Sequence, residues 1–137
     1  MKLILFGVFC IFSTFIEAKN QTIEVSGNIQ CCTNETVTSL EIPKTELCYP
    51  PSKAEIRLLD QFKVLSNTLL FSFELRKRGE YSFTWTGDKI LMVDPLLQFT
   101  VLCFDEPLFV KEYNYTDLMD LQLQTTVILQ NVKIMVD

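Results

Sequence analysis

Period-two alternation of apolar side chains constrains this chain more than any other feature. The clearest instance follows Asp94-Pro95, where Leu97, Phe99, Val101 and Cys103 fall on one phase and Gln98 and Thr100 on the other. Successive residues of a strand point to opposite faces of a sheet, and proline is tolerated at a strand's first position. The segment therefore predicts a half-buried β-strand that starts at the proline and ends in a cysteine.

The same period recurs along the chain. Ile23, Val25, Gly27, Ile29 and Cys31 alternate with Glu24, Ser26, Asn28 and Gln30, which puts Cys31 on the buried phase and Cys32 on the other. Ile56 and Leu58 alternate with Glu55 and Arg57 between residues 54 and 60. Leu69, Phe71, Phe73 and Leu75 oppose Ser72, Glu74 and Arg76; Tyr81, Phe83 and Trp85 oppose Ser82, Thr84 and Thr86. A short turn from Arg76 to Gly79 joins these last two runs, so a hairpin is expected. Aromatics at this spacing suit core packing, with a ligand-stacking platform as the other use.

Asp105-Glu106-Pro107 predicts a turn, Leu108 to Tyr113 a shorter strand, and Tyr115 to Asp120 a helical turn. Leu121, Leu123, Thr125, Val127 and Leu129 resume the alternation. Val132, Ile134 and Val136 complete it after a turn at Gln130-Asn131. The stretch from Thr33 to Lys53 loses the period, holds Pro43, Pro50 and Pro51, and reads as a long loop or a short edge excursion. The expected fold is all-β, a seven- to eight-stranded antiparallel β-sandwich, with an immunoglobulin-like arrangement as its nearest competitor.

Residues 1–18 stand apart from this pattern. Lys2, the apolar run Leu3 to Phe12 and a small residue at Ala18 have the form of a secretory signal peptide, leaving residues 19–137 as one domain with one core. No later run is long and apolar enough for a transmembrane helix. A formal net charge of −5 argues against nucleic acid as a partner, because such binding depends on neutralising phosphates. The basic run Arg76-Lys77-Arg78 reads first as a solvated turn.

Cys10 lies in the leader, so Cys31, Cys32, Cys48 and Cys103 remain. An even count in a secreted chain implies disulfides; a bond between the neighbours Cys31 and Cys32 is strained, and two pairings stay open. The spacing matches no zinc pattern, and the chain has no histidine. That absence also removes the imidazole base of Ser-His-Asp and Cys-His nucleophiles, and oxidised cysteines offer no thiolate. The carboxylate pairs Asp105 with Glu106 and Asp117 with Asp120 are what a hydrolase or calcium site could use, although exposed acidic turns are the commoner reading. No phosphate-binding Gly-rich loop occurs, so the chain is expected not to be an enzyme and to carry no cofactor. Asn20, Asn34 and Asn114 head N-x-[ST] sequons, which points to glycosylation and to solvent-facing edges there.

Several of these segments together resemble the nematode transthyretin-like proteins. Val25-Ser26-Gly27-Asn28-Ile29-Gln30-Cys31 is similar to that family's V-x-G-x-L-x-C opening, and Asp94-Pro95 with Leu97 and Cys103 to its central D-P-Y-L-x-I-x-H-x-C. Asp117-Leu118-Met119-Asp120-Leu121-Gln122-Leu123 resembles D-I-G-x-L-x-L, with Gly79-Glu80-Tyr81-Ser82-Phe83 where a G-x-F element belongs. The family's histidine position is apolar here, the tyrosine after its proline is Leu96, and the cysteine downstream of Cys103 is missing. Against that pattern Cys32 and Cys48 look like additions, and strand phase favours Cys31 with Cys103 and Cys32 with Cys48.

The resemblance implies a prealbumin-like sandwich of two sheets. It also implies a secreted, non-enzymatic binding role toward an extracellular protein, a cell-surface lipid or a small apolar ligand. The related hydrolase branch relies on histidines that this chain lacks. A hydrolase using carboxylates alone and a structural matrix component are the competing expectations.

Overall fold

The computed structural model describes residues 19–35, 45–61, 66–89, 91–104 and 108–136. The leader at 1–18 and the turn at 105–107 lie outside the described residues, as does the stretch 36–44 of the expected long loop. Among the described residues the fold is an all-β sandwich of nine strands and one short helix. The strands are β1 (Lys19–Glu35), β2 (Thr45–Tyr49), β3 (Lys53–Asp60), β4 (Thr68–Arg76), β5 (Glu80–Lys89), β6 (Pro95–Leu102), β7 (Leu108–Asn114), β8 (Thr125–Leu129) and β9 (Val132–Met135). The helix, α1 (Thr116–Asp120), falls where the helical turn was expected.

The first sheet is built on β1, whose 17 residues give it four neighbours. It runs antiparallel to β5 over Lys19 to Asn28 and to β2 over Cys31 to Glu35. It runs parallel to β8 over Thr22 to Ser26 and to β9 over Ile29 to Cys32. The second sheet is antiparallel throughout, in the order β4-β3-β6-β7.

The strand at Asp94-Pro95 became β6, an internal strand between β3 and β7. Its apolar phase is fully buried at Leu97, Phe99 and Val101. Phe99 lies in the middle of the core, edge-on to Tyr81 at 5.6 Å and to Tyr113 at 5.7 Å between ring centroids. Edge-to-face contacts of this kind add to the stabilisation from burial, because the positive ring edge meets a negative ring face.

Four expectations need correction. The count is nine because the stretch read as a long loop or a short edge excursion holds β2, an edge strand that pairs with the far end of β1. The first sheet is mixed, since β8 and β9 run parallel to β1. β4 and β5 are not a hairpin: β4 hydrogen-bonds to β3 and β5 to β1, in different sheets. The short turn between them is a corner that lets Phe71 stack on Phe83 at 4.9 Å, with Phe73 edge-on to Phe83 at 5.5 Å. A hairpin would have set those rings side by side on one face; the corner buries them against each other.

The fourth correction is the phase of β8. Thr126 and Ile128 face the core, whereas Val127 and Leu129 are 68% and 72% exposed. Leu121 belongs to the turn after α1, and Leu123 is also exposed. Parallel pairing with β1 fixes this phase by placing Ile128 opposite Val25 and Leu129 opposite Ser26.

Candidate functional site

The β4–β5 corner makes one wall of an open groove of about 890 Å³. Lys77 adopts φ 55°, the left-handed region, and its N–H donates to the Ser52 carbonyl at 3.1 Å. The Gly79 carbonyl accepts from the Ile29 N–H at 2.9 Å. A Cβ at Gly79 would stand 2.2 Å from the Ile29 oxygen, so only glycine lets the corner dock this closely on β1.

The opposite wall is the break between β8 and β9, and Gln130 fixes it. Its N–H donates to the Ser26 carbonyl at 2.9 Å. Its own carbonyl accepts from the Tyr81 hydroxyl at 2.5 Å, and its Oε1 accepts from the Tyr115 hydroxyl. Asn131 Oδ1 accepts the Asn28 N–H at 3.0 Å. A Cβ at Gly27 would come within 1.9 Å of the Gln130 carbonyl oxygen, so this glycine is required by the close passage of two backbones. Burial, then the neighbouring tyrosines, pushes the Tyr81 phenol well above its ordinary range, and burial pushes Tyr115 up to about 12. Both remain neutral donors at physiological pH.

Tyr49 and Leu129 give the groove exposed apolar surface, with the buried Ile29 and Tyr81 behind them, and Lys77 and Arg78 stand exposed on its rim with Glu80 nearby. The corner's first cation behaves differently. Arg76 bonds Glu74 at 2.6 Å and, with Lys53 beside it, holds that exposed carboxyl below its usual range. Lys77 and Arg78 make no ion pair among the described residues. Two unneutralised cations beside exposed apolar surface suit an anionic group on an apolar body. Reading Arg76-Lys77-Arg78 as a solvated turn was right about exposure and missed the groove, because the apolar partners come from β1, β2 and β8, distant in sequence.

The four described cysteines form two bonds. Cys31 in β1 is joined to Cys103 just after β6, with Cα atoms 5.7 Å apart and both residues fully buried, tying one sheet to the other. Cys32 is joined to Cys48, its direct partner across β1 and β2, at a Cα separation of 4.1 Å. Cys48 is exposed. Cys32, Glu46 and Cys48 are close enough to suggest a metal cluster, but two sulfurs bonded to each other are not thiolate ligands.

Asn20 and Asn34 are exposed near the two ends of β1, and Asn34 pairs with Glu46 of β2, so it lies in a strand where loop was expected. Asn114 ends β7, exposed; its Oδ1 accepts from the Thr116 N–H at 2.8 Å and hydroxyl at 2.5 Å. Asp117 and Asp120 are exposed on α1, while Asp105 and Glu106 lie outside the described residues. Two buried carboxylates were not anticipated. Asp60 accepts the Asp94 N–H at 2.9 Å, and Asp94 accepts the Thr116 hydroxyl at 2.7 Å, joining β3, β6 and α1. Among the described residues no helix is long and apolar enough to cross a membrane.

Compared with known proteins, the chain matches no family model, no curated protein and no solved structure.

Proposed function

We propose that this chain is a secreted, non-enzymatic binding module of the transthyretin-like type, and that it holds an anionic, partly apolar ligand such as a phospholipid surface in the groove at the β4–β5 corner. The observation that carries this reading is the pairing of unneutralised Lys77 and Arg78 with exposed apolar surface from Tyr49 and Leu129. In a molecule of net charge −5, such a local positive rim favours one orientation toward an anionic surface.

Secretion is supported by the leader-like residues 1–18 and by two disulfides, which accord with an oxidising extracellular compartment. The resemblance at Val25 to Cys31 and Asp94 to Cys103 is supported by the roles of those segments, which supply the spine of one sheet, an internal strand of the other and the bond between them. A non-enzymatic role is supported by the lack of histidine and the bonding of the four cysteines that follow the leader-like residues 1–18. Glycans on Asn20 and Asn34 would flank the outward phase of β1 and leave its middle accessible.

Vesicle flotation tests the reading. The secreted chain is expected to float with vesicles of anionic phospholipid and to stay behind with purely zwitterionic ones. Equal behaviour with both, or no flotation with either, would contradict it.

A further inference from the structure

We propose that β8 is a self-association edge, and that two copies of this chain join by antiparallel pairing of β8 about a twofold axis at Val127. Among the described residues β8 pairs with β1 alone, and no described strand pairs with its other edge. Such edges are normally protected by charge or proline, because an uncharged edge templates further pairing. The other strands carry that protection: Glu46 in β2, Glu74 and Arg76 in β4, Glu80 and Asp88 in β5, Lys111 and Glu112 in β7, and Lys133 in β9. From Leu121 to Asn131 the chain has no charged residue and no proline.

The side chains fit a second copy specifically. A twofold axis normal to the sheet keeps faces matched, so the fully overlapped register places Val127 opposite its own copy and Leu129 opposite Thr125 of the other chain. Directly opposed residues of antiparallel strands lie about 4.5–5.5 Å apart at Cβ, so Val127 meets its own copy, and diagonal neighbours lie about 7–8 Å apart, within reach of the longer Leu129 side chain. These are the two most exposed apolar side chains of the strand, at 68% and 72%. β7 is the useful contrast, because Leu108 and Val110 are also exposed there. Full overlap of β7 would oppose Lys111 to its own copy, and moving the axis by one residue would oppose Glu112 to itself, both unfavourable. The uncharged strand can therefore pair with itself in full overlap without opposing like charges, and β7 cannot.

Sedimentation velocity on the secreted chain over a concentration series, beside Val127→Lys and Val110→Lys, tests this. The expected result is a dimer for the unsubstituted chain and for Val110→Lys. Val127→Lys should be a monomer, or have a dimer dissociation constant raised at least about tenfold, since the substitution opposes two like charges. Position 127 is exposed, and an unchanged far-UV circular dichroism spectrum with a cooperative unfolding transition identifies loss of the dimer without loss of the fold. A Val127→Cys variant should form an interchain disulfide on mild oxidation, and Val110→Cys should not. A monomeric unsubstituted chain, a dimer indifferent to Val127→Lys, or cross-linking at 110 and not at 127 would each overturn the proposal.

Discussion

Gln130 is where three separately made parts of the molecule meet. Tyr81 reaches it from β5, Tyr115 from the end of β7, and Ser26 from β1. Because burial pushes the Tyr115 phenol up to about 12 from an ordinary value of 10.0, protonation is coupled to folding. Between those values the unfolded chain loses a proton that the native state keeps, so stability falls as pH rises. Stability toward urea is expected to hold up to about pH 9.5 and to decline from there toward pH 12, with a shallower decline in Tyr115→Phe. Urea midpoints at stepped pH measure this, and a midpoint that rises above pH 10 would contradict it. Gly27→Ala should cost about 1–3 kcal/mol, since its Cβ would drive the Gln130 carbonyl away, and Phe99→Ala about 3–5 kcal/mol through the cavity it leaves. Chemical unfolding of both variants checks the order.

Among the elements, β6 was the most legible and β8 the least, for physical reasons. β6 has a proline start, and its phases differ sharply, since Gln98 and Thr100 stand against Leu97, Phe99 and Val101. β8 offers Thr126 and Ile128 on one phase and Val127 and Leu129 on the other, so its pattern does not say which side faces in. Only the parallel register with β1 decides it. The β4–β5 corner misled in a similar way, because a short turn between aromatic strands serves a hairpin and a sheet-to-sheet crossing equally well. The candidate groove was hidden because its surface comes from residues far apart in the chain. The two disulfides belong to this scale too. Cys31–Cys103 closes a separation of 72 residues and Cys32–Cys48 one of 16, and restriction of the unfolded chain grows with the loop. Replacing the first pair by alanine is expected to cost about 4–5 kcal/mol and the second about 3 kcal/mol. Denaturant unfolding of the two double variants measures the difference; a larger loss from Cys32 and Cys48 would show that β2 matters more to the fold than the tie between sheets.

For the whole molecule, an acidic sandwich presents a small positive rim at one corner and an uncharged edge along β8. Leu129 and Asn131 line the groove at the end of that edge, so binding and self-association would share a boundary. The central claim is that Lys77 and Arg78 direct an anionic ligand to the groove. It is tested most directly by titrating the secreted chain with anionic phospholipid vesicles beside Lys77→Gln/Arg78→Gln and the control Lys111→Gln on β7. A basic residue near an anionic surface contributes about 1 kcal/mol, so loss of the corner pair is expected to weaken binding roughly 30-fold, with Lys111→Gln close to the unsubstituted chain. Equal affinity for all three proteins would contradict the account.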